Sequence, residues 1–533
     1  MKASEREEAI QTLARERFGF RRLRPEQLRG ASAAVEGRDV LVVLPTGAGK
    51  SAIYELAGLL RPGPTVVISP LIALQEDQIA HLRKAGVDAV VVNSQQPARA
   101  RAEALAAACG PEAFVFLSPE QLSNDETRGV LRRAKPSLFA VDEAHLISQW
   151  GHDFRTDYMR LGAQAAALGD PARVALTATA SEPVRLEIRA RLGLRDPEVI
   201  IGDLDRPRIR LSGRRVRSPD QKQRELAAAA AELDGPGIVY AATRAHAEAA
   251  LHTLADAGHS VTLYHAGLAP RARDAAMGAF LDGSTRIVAA TVAFGMGVDK
   301  PDVRWIVHLD PPPSLDSYYQ EIGRAGRDGQ PAEARLLHRS EDFGAAVHFT
   351  SRSVPVAAVE DAAVRLASGE PAPDTRQATA ALVKLVDLGA AAWDADGEIS
   401  WSGELGIEAA VAAAGAEAEL EREIERSRLE MMRRYAEHAG CRRSFLLTYF
   451  GQPYAGPCGN CDNDLAGHVD ESRPQPFAIG ERVVSERWGD GTVQRYDGDQ
   501  VTVLFDDHGY RDLLVPLVVE RGLLRRVAER EEW

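Results

Sequence analysis

Residues 40 to 60 constrain this chain more than any other stretch. An apolar run, Val40 to Leu44, stops at Pro45; Thr46-Gly47-Ala48-Gly49 then turns the chain into Lys50-Ser51 and an apolar-spaced segment through Ile53, Leu56 and Leu60. Strand, glycine-rich turn and helix in that order make a phosphate-binding loop. Gly47 and Gly49 let successive backbone N–H groups converge on one spot, where the helix N-terminus adds partial positive charge. Lys50 is placed to reach the β- and γ-phosphates of a nucleotide, and the Ser51 hydroxyl to hold Mg²⁺. The first glycine of the longer loop pattern falls at Leu44, so this is the short form of the motif.

A phosphate loop needs a sheet around it, and the chain provides the pattern for one. Apolar runs at Thr65–Ser69, Ala89–Val92, Phe114–Leu117, Leu138–Val141 and Val174–Leu176 alternate with helical segments. Strands spaced by helices predict a parallel sheet covered on both faces, with ligands at the strands' C-terminal ends. Asp142-Glu143-Ala144-His145 stands at one such end. A carboxylate there suits the Mg²⁺ of a bound nucleotide, and the next suits a base that orients the attacking water. Upstream, Arg24 and Gln27 are candidates for the nucleotide's base side, because a Gln amide can read an adenine edge. Just beyond the carboxylates, Trp150, His152, Phe154 and Arg155 crowd one short segment, a composition suited to base stacking and backbone contact.

The alternation restarts near residue 205. Ile238–Tyr240, Val261–Tyr264, Ile287–Ala290 and Trp305–His308 read as strands of a second parallel sheet without a phosphate loop. It leads to Tyr319-Gln320-Glu321-Ile322-Gly323-Arg324-Ala325-Gly326-Arg327. Arg324 and Arg327, three apart, are expected on one helix face, where they could neutralise transition-state charge.

With 533 residues the chain has room for roughly three to five domains. Its formal net charge of −13 argues against a surface that is basic all over. Local arginines at 21, 22, 24 and from 206 to 217 leave a basic groove open. No apolar run approaches the roughly 20 residues of a membrane span, and the charged N-terminus lacks a secretion signal. Four cysteines in so long a chain fit a reducing compartment, and a cytoplasmic, nucleoid-associated location is expected.

Taken in order, FGFRRLRPEQ, PTGAGKS, SPLIALQEDQ, VDEAH, ISQWGHDFR, LTATA, ATVAFGMGVDKP and YYQEIGRAGRDG resemble the motifs of RecQ-family DNA helicases of superfamily 2. The resemblance implies an α/β fold of two RecA-like lobes with ATP between them, and 3′→5′ unwinding of DNA. It puts Gln27 on adenine, the loop from Thr46 to Ser51 on phosphate and Mg²⁺, and Gln320 and Arg324 near the nucleotide. Asp142 becomes the Mg²⁺ carboxylate, Glu143 the base and Arg327 the arginine finger. The Trp150–Arg155 segment would couple single-strand binding to hydrolysis. Alternatives of other kinds are an RNA-remodelling ATPase and a catalytically weak DNA-binding scaffold.

Cys441, Cys458 and Cys461 lie in a stretch that resembles the family's zinc-binding module. Asp464 stands where that family has a fourth cysteine, and His468 is a second candidate for the position. A Cys₃Asp site is within zinc's coordination chemistry, though oxygen should hold the ion less well than thiolate. The divisions expected are a first lobe over 1–205, a second over 206–345, an insert over 346–415, the zinc module over 416–468 and a small β-barrel over 477–525. In the insert a helix and a hairpin match either a winged-helix-like element or a small packing insert. The last stretch alternates strands with turns at Gly489–Gly491 and Asp497–Asp499. It resembles the Tudor-like tail of UvrD/PcrA-type helicases, which implies a protein partner such as RNA polymerase.

Overall fold

The computed structural model describes residues 2–70, 72–93, 96, 98–107, 109–110, 112–122, 124–148, 156–295, 298, 300–344, 354–373, 375–393, 399–454, 456–467 and 475–527. Two compact units emerge: Met1–Leu44, Ala48–Gly202 and Arg352–Arg422 form one, and Pro45–Gly47, Asp203–Ser351 and Glu423–Trp533 the other.

The first unit is built on seven parallel strands: β1 (Val40–Val43), β2 (Thr65–Ile68), β3 (Ala89–Val92), β4 (Phe114–Leu117), β5 (Leu138–Val141), β6 (Ala172–Thr177) and β7 (Glu198–Ile201). Their order is β3-β4-β2-β5-β6-β1-β7. Four of the five central strands, β1, β2, β4 and β5, are short apolar runs buried along their whole length, as a sheet covered on both faces demands. The order matters for the site. It sets β5, β6 and β1 side by side, with Val141 opposite Ala175 and Val43 opposite Thr177. Asp142, Thr177 and the phosphate loop therefore leave the sheet along one edge.

The second unit holds six parallel strands: β8 (Ile209–Arg215), β9 (Gly237–Tyr240), β10 (Val261–Tyr264), β11 (Ile287–Ala290), β12 (Trp305–His308) and β13 (Ala332–His338), in the order β10-β11-β9-β12-β13-β8. The arginine-bearing stretch after residue 205 is edge strand β8, and Arg208, Arg210, Arg214 and Arg215 are exposed. An unpaired strand edge is an aggregation hazard. The cysteine-bearing segment covers this one: the Leu211 N–H donates to the Asn460 carbonyl at 3.4 Å and Leu211 bridges to Cys461. The Gly213 N–H donates to Asp462 Oδ2 at 2.9 Å.

The insert packs two helices, Val356–Ser368 and Arg376–Asp387, a hairpin of β14 (Ala391–Trp393) and β15 (Ile399–Trp401), and the start of the long helix Ile407–Glu437. Val359, Ala363, Ala381, Leu385 and Ala410 form its core. It belongs to the first unit, where Arg191 Nη1 meets Asp387 Oδ1 at 3.2 Å.

The C-terminal stretch is a five-stranded antiparallel sheet: β16 (Arg482–Ser485), β17 (Gly489–Asp497), β18 (Gln500–Phe505), β19 (Gly509–Leu514) and β20 (Arg525–Arg526), ordered β19-β18-β17-β16-β20. One expected turn moves. Gly489–Gly491 lie in β17, and the chain reverses at 486–488 instead. Gly491 serves strand contact: a Cβ there would sit 2.8 Å from the Leu504 carbonyl oxygen.

Candidate nucleotide site and zinc centre

Gly47 and Gly49 both take positive φ, +81° and +71°. At Gly49 a Cβ would also collide with Gln27 Nε2 at 2.6 Å, so the loop accepts no side chain there. Gln27 is buried on the helix Pro25–Glu36. Its Nε2 donates to the carbonyls of Ala48 (3.1 Å) and Gly49 (2.9 Å), and its Oε1 accepts the Arg24 N–H at 2.9 Å. Gln27 thus braces the phosphate loop from beneath, with both amide hydrogens engaged. No local motif around Gln27 signals that bracing role; the sequence points this side chain only toward adenine. Lys50 opens the helix Ser51–Leu60, and its Nζ donates to the Leu44 carbonyl at 3.1 Å.

The carboxylates follow β5, one strand removed from the loop's β1, with β6 between them. Asp142 is 7 % exposed, and burial together with the neighbouring Glu143 pushes its pKa up to about 6 against the pull of Lys50. Its Oδ1 accepts the Glu143 N–H (3.0 Å) and its Oδ2 a hydrogen from Gln78 Nε2 (3.2 Å). Glu143 takes φ +50°, rare for a residue with a side chain and a mark of local strain. Its Oε2 lies 3.3 Å from His145 Nδ1, which is 3.0 Å from Thr177 Oγ1. Thr177 Oγ1 in turn donates to the Thr179 carbonyl at 2.9 Å. VDEAH and LTATA are therefore one hydrogen-bonded unit.

Two residues here escaped the reading of the sequence. Gln78, on the helix Ile72–Lys84, reaches Asp142 across 64 positions of chain. Glu55, one turn beyond Ser51, is a buried carboxyl whose pKa burial pushes up to about 7. A lone Gln or Glu on a helix carries no motif; Glu55 reaches Ser51 through the turn of their shared helix, and Gln78 reaches Asp142 only through the fold.

Arg324 and Arg327 require a correction. The helix Leu315–Ile322 ends at Gly323, so both arginines lie in the turns that follow rather than on a helix face. Gly323 and Gly326, the latter at φ +60°, break the helix. Arg324 is buried and donates to the Gly295 carbonyl. Arg206 clamps the turn, donating to the carbonyls of Gly323 (3.0 Å) and Ala325 (2.8 Å). Gln320 and Arg327 are half-buried. Trp150, His152, Phe154, Arg155 and His468 lie outside the described residues.

In the zinc segment the sulfurs of Cys441, Cys458 and Cys461 and a carboxylate oxygen of Asp464 all fall within 4.8 Å of one another. The donor set fits a metal. Asp464 Oδ2 accepts the Gly459 N–H at 3.0 Å, while its buried Oδ1 has no hydrogen-bond partner among the described residues. Backbone N–H groups point at two of the sulfurs: Asn460 at Cys458 (3.4 Å) and Asp464 at Cys461 (3.5 Å). The neighbouring sulfurs push the Cys441 thiol up and hold Cys461 well below the usual thiol range. Such crowding suits thiolates sharing a divalent cation.

Comparison with known proteins agrees with this anatomy. The chain matches the DEAD/DEAH box helicase model over residues 24–186, the helicase conserved C-terminal domain over 221–329 and the RecQ zinc-binding model over 407–465. It is 32 % identical over 446 residues to the ATP-dependent DNA helicase RecQ of Haemophilus influenzae, covering 84 % of this chain and 62 % of that one. For the RecQ protein of Pasteurella multocida the values are 33 %, 84 % and 60 %. The probable ATP-dependent DNA helicase RecS of Bacillus subtilis is 36 % identical, covering 61 % of this chain and 66 % of that one. The chain thus spans 60–66 % of the length of these relatives. Among solved structures, the Mycobacterium smegmatis helicase Lhr aligns at a TM-score of 0.52 and 20 % identity, over 78 % of this chain and 61 % of that one, which shows a shared fold. The chain belongs to the RecQ family of superfamily 2 helicases, with two RecA-like α/β lobes and a zinc-binding module. Its helicase domains imply ATP and Mg²⁺, and the cysteine cluster with the zinc-binding match supports Zn²⁺.

Proposed function

We propose that the chain is an ATP-dependent DNA helicase of RecQ type, moving 3′→5′ on single-stranded DNA and unwinding duplex during repair and recombination. The observation that carries this reading is the cluster of Asp142, Glu143, His145 and Thr177 beside the Lys50 loop, joined by the Glu143 N–H to Asp142, the His145–Thr177 hydrogen bond and a 3.3 Å contact between the Glu143 carboxylate and the His145 ring, in a chain whose relatives are named DNA helicases. Bound ATP with Mg²⁺ supplies the phosphoryl chemistry. Lys50 and the loop N–H groups would hold the phosphates, Ser51 and Asp142 would hold the cation, and Glu143 would orient the attacking water. Arg324 and Arg327 act on the γ-phosphate, with Arg327 as the finger, and Gln320 lies near the nucleotide. Gln27 is read toward adenine by exchange: its amide would leave the Ala48 and Gly49 carbonyls to meet the base, which would couple base occupancy to the loop.

Trp150, His152, Phe154 and Arg155 contact the single strand and couple it to hydrolysis. Trp150→Ala is expected to keep DNA binding and lose DNA-stimulated ATPase; unchanged stimulation refutes that role. The domain limits given above are kept, with one choice for the insert. Acidic side chains far outnumber basic ones between Val356 and Glu421. Lys384, on the helix before the hairpin, is buried against Glu417 and Glu421. Duplex DNA is not gripped by such a surface, so the insert is read as packing. The C-terminal sheet is read as a Tudor- or SH3-like barrel that recruits a protein such as RNA polymerase, on the resemblance of its sequence, and the enzyme as cytoplasmic and nucleoid-associated.

The test is ATPase and strand-separation activity of the whole chain with single-stranded DNA, single-stranded RNA and 3′- or 5′-tailed duplexes. Stimulation by DNA and unwinding from a 3′ tail are expected. Stimulation by RNA alone would instead favour an RNA-remodelling ATPase, and no hydrolysis at all a scaffold.

A further inference from the structure

The C-terminal sheet is no tethered appendage within its unit. β18 is buried on both faces: Val501, Val503 and Phe505 join the sheet's own core, while Thr502 and Leu504 are buried on the other side. That second side meets the zinc module. Arg495 of β17 is buried, with its guanidinium 3.5 Å from the Phe445 ring centroid. The Tyr510 N–H donates to Ser427 Oγ at 3.3 Å, and a Cβ on Gly509 would come within 2.5 Å of that same oxygen. The approach is therefore as close as a backbone allows.

One line of contacts continues beyond this interface. The Tyr510 ring stacks on Tyr449, centroids 5.3 Å apart and planes at 27°. Tyr449 closes the zinc-module helix Arg442–Tyr449, is fully buried, and donates its hydroxyl hydrogen to Asp316 Oδ2. Asp316 is itself buried in the first turn of the helix Leu315–Ile322. Two further aromatic contacts seat the same helix: Tyr318 on Tyr435 and Tyr319 on Phe450, each with centroids 5.0 Å apart. This helix runs directly into Gly323, Arg324 and Arg327.

A hydrogen bond to a buried carboxylate is among the stronger polar contacts, and losing its donor leaves a buried charge short of partners. A rigid helix of two turns carries any resulting shift at Asp316 to the arginines at its far end. We propose that the C-terminal sheet is a working part of the motor, in which Tyr510 seats Tyr449, Tyr449 holds Asp316, and Asp316 sets where Arg324 and Arg327 stand. Tyr510, Tyr449 and Asp316 are positioning residues; none touches the nucleotide. The inference rests on the reading of Arg324 and Arg327 given above.

The experiment compares the whole chain with Tyr449→Phe, Tyr510→Ala, Tyr510→Phe and the double variant Tyr449→Phe/Tyr510→Ala. DNA-stimulated ATPase is measured as separate kcat and KM values, alongside zinc content and melting temperature. Tyr449→Phe removes one oxygen from a core that stays filled, so it decides the matter even if Tyr510→Ala fails to fold. Expected is a kcat about fivefold lower for Tyr449→Phe and Tyr510→Ala, with KM for ATP and zinc content unchanged, as for an interaction that acts only in the transition state. Tyr510→Phe keeps the stacked ring and should restore kcat, and the double variant should lose no more than the worse single one, because both act on one path. A kcat within about twofold of the parent for Tyr449→Phe overturns the proposal, as does a Tyr510→Phe as slow as Tyr510→Ala. A parent protein without ATPase activity would sink the proposed function instead.

Discussion

Two buried aspartates, one at the edge of each parallel sheet, have opposite fates. Asp142 follows β5; burial and Glu143 push its pKa up to about 6. Asp310 follows β12; burial alone would raise it, but the hydrogen bond from His246 and the charge of Lys222 hold it well below the usual carboxylate range. Lys222 Nζ lies 2.7 Å from both Asp310 and Asp342, and Asp310 also accepts the Ala242 N–H at 3.0 Å. Nearly the same position in the same kind of sheet thus serves two ends. A carboxylate with its charge fully compensated ties loops together. One left short of positive charge is poised for a cation, which is the demand a nucleotide–Mg²⁺ site makes.

Variants should separate these roles, beginning with the largest effect. Lys50→Ala is expected to lower ATPase more than about a hundredfold while leaving the melting temperature near that of the parent. Residual activity above about a tenth of the parent would break the phosphate-loop assignment. Asp310→Ala should do the reverse, destabilising its lobe by about 3 kcal/mol because Lys222 loses one of two buried partners. Its ATPase well below the melting transition should stay close to the parent's. Unfolding followed by circular dichroism and ATPase rates test both.

Asp142→Asn gives a finer test, through pH. Its folded pKa lies above the unfolded value near 3.9, so the ionised carboxylate opposes folding as pH rises from about 4 to 6, and fully above that. In nucleotide-free protein the substitution should stabilise by about 3 kcal/mol at pH 8 and by little near pH 4. For Asp310 the sign is opposite. Its folded pKa is depressed, so its contribution is present above about pH 4 and is lost only as pH falls through the folded value. Parallel melting curves from pH 4 to 8 would show whether the contrast is real. The smallest expected effect is at the zinc centre. Asp464→Ala should weaken zinc retention about tenfold against a chelator, and Asp464→Cys should strengthen it. Equal retention in all three proteins would remove Asp464 from the ligand set.

Legibility in the sequence followed burial. The strands read correctly, β1 to β6 and β9 to β12, are apolar runs, and a sheet covered on both faces leaves that pattern in the chain. β7, β8 and β13 were missed. β8 reads IRLSGRR, because an edge strand keeps one side in water and admits arginines there. The Arg324–Arg327 spacing imitated a helix face, but Gly323 and Gly326 decide the backbone. The turn placed at Gly489–Gly491 failed for a related reason: glycine marks close contact between strands as well as reversals.

By itself the sequence determined the family, the two parallel sheets, the phosphate loop and the trio Cys441, Cys458 and Cys461, with Asp464 as one of two candidates for the fourth position. Those signals are local, either runs of apolar residues or short motifs whose spacing is the chemistry. Only the tertiary structure decided that Gln27 and Gln78 brace the loop and Asp142, that Asp310 is neutralised while Asp142 is not, and that the C-terminal sheet is joined through Tyr510 and Tyr449 to Asp316. Each of those depends on partners tens to hundreds of residues apart, and the energy of a buried polar group is set by what the fold places beside it rather than by its neighbours in the chain.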